Sequence, residues 1–268
     1  MSDNDDMHRP AGPGAGPSAA EPLDLVRHLY DAWNTGNVAG AAQLLSPAVR
    51  WETFGGSGAL SGRDGLQTTL AGASSGGTWQ MSPVTIDVLV RVVEHVIAFS
   101  RRRSPDGERE RLEVWTVHDG AAVHYRGFPL EEGLAVLTET TGSRRLEAVC
   151  RGVLAFNRGD TDGWIELFDA DVEFVTAEHD VWRGHAGMRA YTAQLGELWP
   201  SRRLDDVEIL AESATGLVIS AVQHLENAAR GLRVAEPLHL VMAFDGRRAR
   251  RVSGHPTAEE ALAAASGR

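Results

Sequence analysis

The chain is written twice, and that duplication constrains its fold more than any other feature. The segment Leu29-Tyr30-Asp31-Ala32-Trp33-Asn34-Thr35-Gly36-Asn37 returns as Gly152-Val153-Leu154-Ala155-Phe156-Asn157-Arg158-Gly159-Asp160, an offset of 123 residues. The same offset carries Leu44-Leu45-Ser46-Pro47-Ala48-Val49-Arg50-Trp51 onto Leu167-Phe168-Asp169-Ala170-Asp171-Val172-Glu173-Phe174. Further on, Gly62 and Gly65 match Gly184 and Gly187, Asp119-Gly120 matches Asp245-Gly246, and Gly127-Phe128-Pro129 matches Gly254-His255-Pro256. Order and spacing hold along the chain, so it reads as a tandem duplication rather than one large domain. We read residues 1–20 as a polar, Pro/Gly/Ala-rich tail, 21–138 as the first repeat, 139–144 as a linker and 145–268 as the second repeat.

Each repeat has the same local grammar. Leu23, Val26, Leu29, Tyr30 and Trp33 recur at helical spacing, as do Leu146, Val149, Cys150, Val153 and Phe156, and Gly36 and Gly159 stop these helices. A second helix follows (38–45; 162–168), then a strand (49–54; 172–177) and a third helix (64–70; 186–195). Three β-rich runs and an Asp-Gly turn before a last strand close each repeat, a strong hairpin signal. Three helices followed by a meander is an α+β order.

Composition narrows the chemistry. The formal charge of −11 argues against a phosphate-backbone partner. All 26 basic residues are Arg, which excludes a Schiff-base lysine, and the single Cys150 lies on an apolar helix stripe. The histidines lack metal-ligand spacing, no nucleotide-binding loop is present, and no apolar run approaches a membrane span. We therefore expect a soluble, cytoplasmic protein without metal or organic cofactor, and without a nucleic-acid or membrane partner.

The aromatic-Asn-x-Gly-(Asn/Asp) motif, the Leu-Leu-x-Pro/Asp-x-Val-x-Trp/Phe strand, the Gly-x-x-Gly loop and the closing strand–Asp-Gly–strand–Gly-x-Pro resemble the nuclear-transport-factor-2-like superfamily. Within it, the SnoaL-like polyketide cyclases are the nearest likeness. The resemblance covers residues 21–268 and implies two cone-shaped α+β domains, each three helices on a curved antiparallel sheet with a pocket at the open end. Pairing of the domains through outer sheet faces, as an intramolecular pseudo-dimer, would bury Val96, Ala98, Val114 and Thr116 with Val218, Ser220, Leu240 and Met242. The whole molecule would be a monomer or homodimer. The resemblance further implies a cofactor-independent cyclase, isomerase, dehydratase or hydrolase of secondary metabolism acting on a hydrophobic small molecule. A non-catalytic binding or assembly module is the alternative, since this fold does not decide function.

The resemblance also directs attention to particular residues. The base of ketosteroid isomerase falls on Glu52, but its tyrosine falls near Leu29, with Tyr30 one residue away. The Arg-x-Asp of limonene epoxide hydrolase falls on Arg111-Leu112-Glu113, with Gly127 where a second acid belongs. Neither set is intact. By strand alternation, Arg111, Glu113 and Trp115 share a face. We take Glu52, Glu113, His239 and His179 as candidate catalytic groups. Trp33, Trp51, Arg111, Trp115, Tyr125, Gln223 and Arg251 are candidate substrate contacts, with Gln223, His239 and Arg251 expected on one cavity face. Matching Glu113 with His239 suggests that the two halves have specialised.

Overall fold

The computed structural model describes residues 21–53, 60–65, 83–104, 106–143 and 145–267. The tail at 1–20 and most of the helix read at 64–70 lie outside the described residues. The first repeat runs α1 (Pro22–Asn34), α2 (Val38–Gln43), β1 (Leu45–Thr53), β2 (Leu60–Ser61), β3 (Val84–Val92), β4 (His95–Ser104), β5 (Gly107–His118), β6 (Ala121–Pro129) and α3 (Leu130–Thr141). The second runs α4 (Leu146–Arg158), α5 (Thr161–Ile165), β7 (Phe168–Val175), β8 (Val181–Arg183), α6 (Gly184–Leu198), β9 (Ser201–Glu212), β10 (Gly216–Asn227), β11 (Leu232–Asp245), β12 (Arg248–His255) and α7 (Ala258–Ser266).

The duplicated Asn-x-Gly motif is a joint between helix and sheet. Asn34, at the end of α1, donates from Nδ2 to the Val84 carbonyl and accepts the Val84 N–H at its Oδ1, both at 2.8 Å. Asn157 makes the same pair with Leu204 of β9, again at 2.8 Å. Two residues on, Gly36 and Gly159 take φ of +69° and +71°, a conformation that costs glycine little. Asn37 and Asp160 then accept from the N–H groups of Gly40 and Gly163, capping α2 and α5.

Among the described residues, twelve strands form one sheet in the order β2-β1-β6-β5-β4-β3-β9-β10-β11-β12-β7-β8. The β3–β6 and β9–β12 meanders are antiparallel as expected. The sheet as a whole is mixed, because β1 pairs parallel with β6 and β7 parallel with β12. The long chain between β1 and β6 supplies the crossover that a parallel pair requires. The repeats meet edge to edge: β3 and β9 pair parallel over Val90–Val207, Arg91–Glu208 and Val92–Ile209. Arg91 also faces Glu208 as an ion pair at 3.6 Å, and Arg27 of α1 pairs with Asp206.

Because the sheet is continuous, one of its faces lies inside repeat 1 and outside repeat 2. Residues directly opposite in a ladder point the same way. Ala98 sits opposite Glu113 and Val96 opposite Trp115, so both belong to the interior of repeat 1, against expectation. Leu240 and Met242 likewise point into repeat 2. Of the residues expected between two stacked outer faces, Val114, Thr116, Val218 and Ser220 do point out of their own cones, and two of them, Val114 and Val218, sit in packed clusters there. They are covered by helices that the sequence reading lacked. Leu130, Leu134 and Leu137 of α3 pack with Val114, and Ala261 of α7 packs with Val218 and Val241. The α3 helix runs through Thr141, into the stretch read as linker, and ends at Gly142 with φ +76°. Repeat 2 thus carries four helices, α4 to α7, rather than three.

Candidate active site

Inside repeat 1, α1, β1, β4, β5 and β6 converge on one carboxylate. Glu113 is fully buried. Its Oε2 accepts from the Tyr30 hydroxyl at 2.5 Å and the Ser100 hydroxyl at 3.0 Å. Its Oε1 accepts from Arg102 Nη2 at 2.6 Å and the Tyr125 hydroxyl at 2.8 Å, with Arg111 Nε at 3.8 Å. Trp115 Nε1 donates in turn to the Tyr30 hydroxyl at 3.0 Å. Four donors on two oxygens nearly saturate an ionised carboxylate.

The electrostatics follow from that geometry. Burial alone would raise the Glu113 pKa, but Arg102, the two phenols and Arg111 outweigh it and hold the group below the usual carboxylate range. Burial and the neighbouring anion raise Tyr30 and Tyr125 well above an ordinary phenol. Both phenols therefore remain protonated donors at neutral pH.

Above the carboxylate, aromatic rings build a wall. Trp51 stacks on Tyr125 at 3.9 Å between centroids and meets Trp115 edge-on at 5.5 Å. Trp33 lies parallel to Trp51 at 6.0 Å, and the Arg102 guanidinium sits 5.7 Å from the Trp33 ring. These residues, with Leu29, Val38, Ala41, Ala42 and Leu45, line a cavity of about 20 Å³. That is room for about one water.

Six of the sequence candidates meet here: Trp33, Trp51, Arg111, Glu113, Trp115 and Tyr125. Glu52 does not. Alternation turns Trp51 inward and Glu52 to the outer face, where it meets Arg50 at 2.9 Å, His124 at 3.2 Å and Arg126 at 3.6 Å. His179 is exposed in the turn after β7, with φ +73°. Gln223, His239 and Arg251 do not share a face. Gln223 lies opposite Glu236 and is buried inside repeat 2, whereas His239 lies opposite Ser220 and His255 on the outside. Burial and the neighbouring His255 lower the His239 pKa. Arg251, also outside, pairs with Glu173 at 3.5 Å.

Tyr30, Ser100 and Arg102 were missed. Period-two alternation would have found two of them, since Val96, Ala98, Ser100 and Arg102 share the face that Glu113 occupies. Arg102 stands near the end of β4. Its neighbour Arg101 does point away, bonding Asp87 at 2.8 Å.

Ladder register also corrects the matching of the halves. Glu113 faces Gly127, and in repeat 2 it is Leu240 that faces Gly254, so the counterpart of Glu113 is Leu240 and not His239. By the same registers Trp115 corresponds to Met242, Tyr125 to Val252 and Ser100 to Ala221, while the motif offset sets Tyr30 against Val153. Glu113, Ser100, Tyr125 and Tyr30 thus have apolar counterparts in repeat 2, whereas the same registers set Arg102 against Gln223, a polar residue buried inside repeat 2.

The family enters on this fold and this duplication. The SnoaL-like domain matches twice, over residues 26–125 and 149–252. The chain belongs to the SnoaL-like family. Solved structures resemble one SnoaL-like repeat at a time. TerC, co-crystallised with polyporic acid, is 19% identical with a TM-score of 0.40, over 44% of this chain and 95% of its own. A putative polyketide cyclase from Xanthomonas campestris is 20% identical with a TM-score of 0.38, over 45% and 95%. A putative ketosteroid isomerase from Kribbella flavida is 18% identical with a TM-score of 0.36, over 40% and 76%. No functionally curated protein matches the chain. Among the described residues, no helix is long and apolar enough to cross a membrane.

Proposed function

We propose that repeat 1 is the working site of a small-molecule enzyme of cyclase or isomerase type, and that repeat 2 is its scaffold. The observation that carries this reading is Glu113, an ionised carboxylate held behind an aromatic cavity by two phenols and an arginine that line it. A buried, ionised carboxylate that gains no hydrophobic energy is costly unless its partners are complete. Repeat 2 reaches a packed core of the same fold with Leu240 in that place.

In this reading the chain's own groups divide the labour. Trp33, Trp51 and Tyr125 hold a planar apolar substrate by ring contact. Tyr30 and Tyr125 stay protonated, and each gives its single hydroxyl proton to Glu113, so towards the cavity their oxygens accept rather than donate. Glu113 takes and returns a proton through the phenol hydroxyls that bond it and line the cavity, a role worth roughly 10²–10⁴-fold in rate. Pairing of the repeats at β3 and β9 as an intramolecular pseudo-dimer would set the angle at which α1 closes the cavity.

A second reading has its own observation. The enclosed space is only about 20 Å³ and Glu113 is saturated with donors, which favours a binding or assembly module with a structural polar core. Native mass spectrometry of the purified chain, followed by turnover assays on any co-purifying molecule, separates the two. Proton-transfer turnover abolished by Glu113→Gln supports the enzyme. A ligand bound equally tightly by wild type and Glu113→Gln, with no turnover, supports the module.

A further inference from the structure

The reading of repeat 1 as a small-molecule site leaves open what kind of molecule it takes, and Arg102 bears on that. Glu113 has no solvent exposure, whereas 27% of the Arg102 side chain is exposed. Arg102 thus reaches from the carboxylate to the surface across the face of Trp33, and of the two arginines at Glu113 it is the one that lines the cavity. Its Nε is buried without a hydrogen-bond partner, and so is the indole Nε1 of Trp33 beside it. Both unmet groups are donors, with no acceptor capacity of their own. Arg102 and Arg111 carry two positive charges against the single negative charge of Glu113. The cavity wall therefore presents one cation, Arg102, and two buried donors that lack an acceptor. Its walls are flat rings.

We propose that the ligand of repeat 1 is a planar aromatic anion, bearing a carboxylate or ionised enol, which is received by Arg102 and Trp33 and draws Arg102 off Glu113. This rests on the reading of repeat 1 as the small-molecule site. Arg102 is then the specificity-determining residue. When its guanidinium turns to the ligand, an acceptor position on Glu113 Oε1 opens inside the cavity, and space now filled by the arginine becomes available. The chain as a whole repels anions, with a formal charge of −11, so a preference for an anion must arise locally.

The test is calorimetric titration of the full chain at pH 7 with 2-naphthoate and with its neutral analogue 2-naphthalenemethanol. Naphthoate is expected to bind at least about tenfold more tightly, the scale of one charge-assisted hydrogen bond. Arg102→Met is expected to bring naphthoate down to the neutral analogue, whose own affinity changes less than about threefold. Equal binding of the two by wild type overturns the anion proposal and leaves the small-molecule site standing. A naphthoate preference that survives in Arg102→Met overturns the role of Arg102. Binding of neither probe overturns both the proposal and the reading beneath it. The wild-type comparison decides the first point even if the variant does not fold.

Discussion

Glu113 and Gly127 face each other across the β5–β6 ladder, and the missing side chain of Gly127 is what lets the hub close. A Cβ on Gly127 would stand 2.6 Å from the Tyr125 hydroxyl and 3.0 Å from Arg111 Nη2. The position where an epoxide hydrolase would carry a second acid is here the space through which one phenol donor and one guanidinium charge approach the first.

Gly127→Ala should therefore push Tyr125 off the carboxylate. We expect a loss of roughly 1–3 kcal/mol, the usual cost of overpacking, with a change in the near-ultraviolet signal of the stacked Trp51–Tyr125 pair. Urea unfolding and circular dichroism check both. An unchanged midpoint would mean that the contact is relieved by simple side-chain movement.

Glu113→Gln keeps the shape and removes the charge. Four donors then face one amide, and the Arg102 guanidinium loses its buried partner. A destabilisation of roughly 3–5 kcal/mol is expected from denaturant unfolding. His239→Ala, on the outer face of repeat 2, should stay within about 0.5 kcal/mol. Similar losses from the two variants would contradict specialisation of the halves.

The hub also makes stability fall in acid. The folded Glu113 pKa lies below its unfolded value, so its contribution is present above the unfolded value, about 4.3, and is lost as pH falls through the folded one. Wild-type stability should drop on acidification through this window more steeply than that of Glu113→Gln, measured by urea midpoints between about pH 3 and 7. Parallel curves would mean that folding leaves the Glu113 pKa unshifted, and a wild type that gains stability in acid relative to Glu113→Gln would mean that Glu113 is protonated in the folded protein.

The duplicated clamps predict paired effects. Asn34→Ala and Asn157→Ala each leave a strand N–H and carbonyl without their helix partner, at a cost of roughly 1–3 kcal/mol each. Thermal unfolding of the single and double variants should show both losses. A cost in only one repeat would show that the other clamp is replaced by water.

Much of this was legible in the residues. The repeat, the clamp motif and the meanders follow from local pattern, because helix spacing, glycine stops and Asp-Gly turns act within a few residues. The face of Arg111, Glu113 and Trp115 followed from alternation alone. What failed was anything that depends on which strands are neighbours. His239 was matched with Glu113 by counting along the chain, and a one-residue slip in β11 moves a side chain through the sheet. Glu52 is a different case: Trp51 beside it points inward, so alternation within β1 already turns Glu52 out. The edge-to-edge join at β3 and β9 has no local signature, and α3 and α7 were hidden in short Leu- and Ala-rich segments after the last strands.

The central claim is that repeat 1 holds the working cavity and repeat 2 does not. The most direct measurement is the indole ¹H–¹⁵N spectrum of the full chain during titration with neutral and anionic naphthalene probes. The cavity tryptophans Trp33, Trp51 and Trp115 should shift, with Trp115 reporting through its bond to Tyr30, while Trp164 and Trp182 of repeat 2 stay in place. Shifts confined to Trp164 and Trp182, with the repeat 1 signals unmoved, would contradict it.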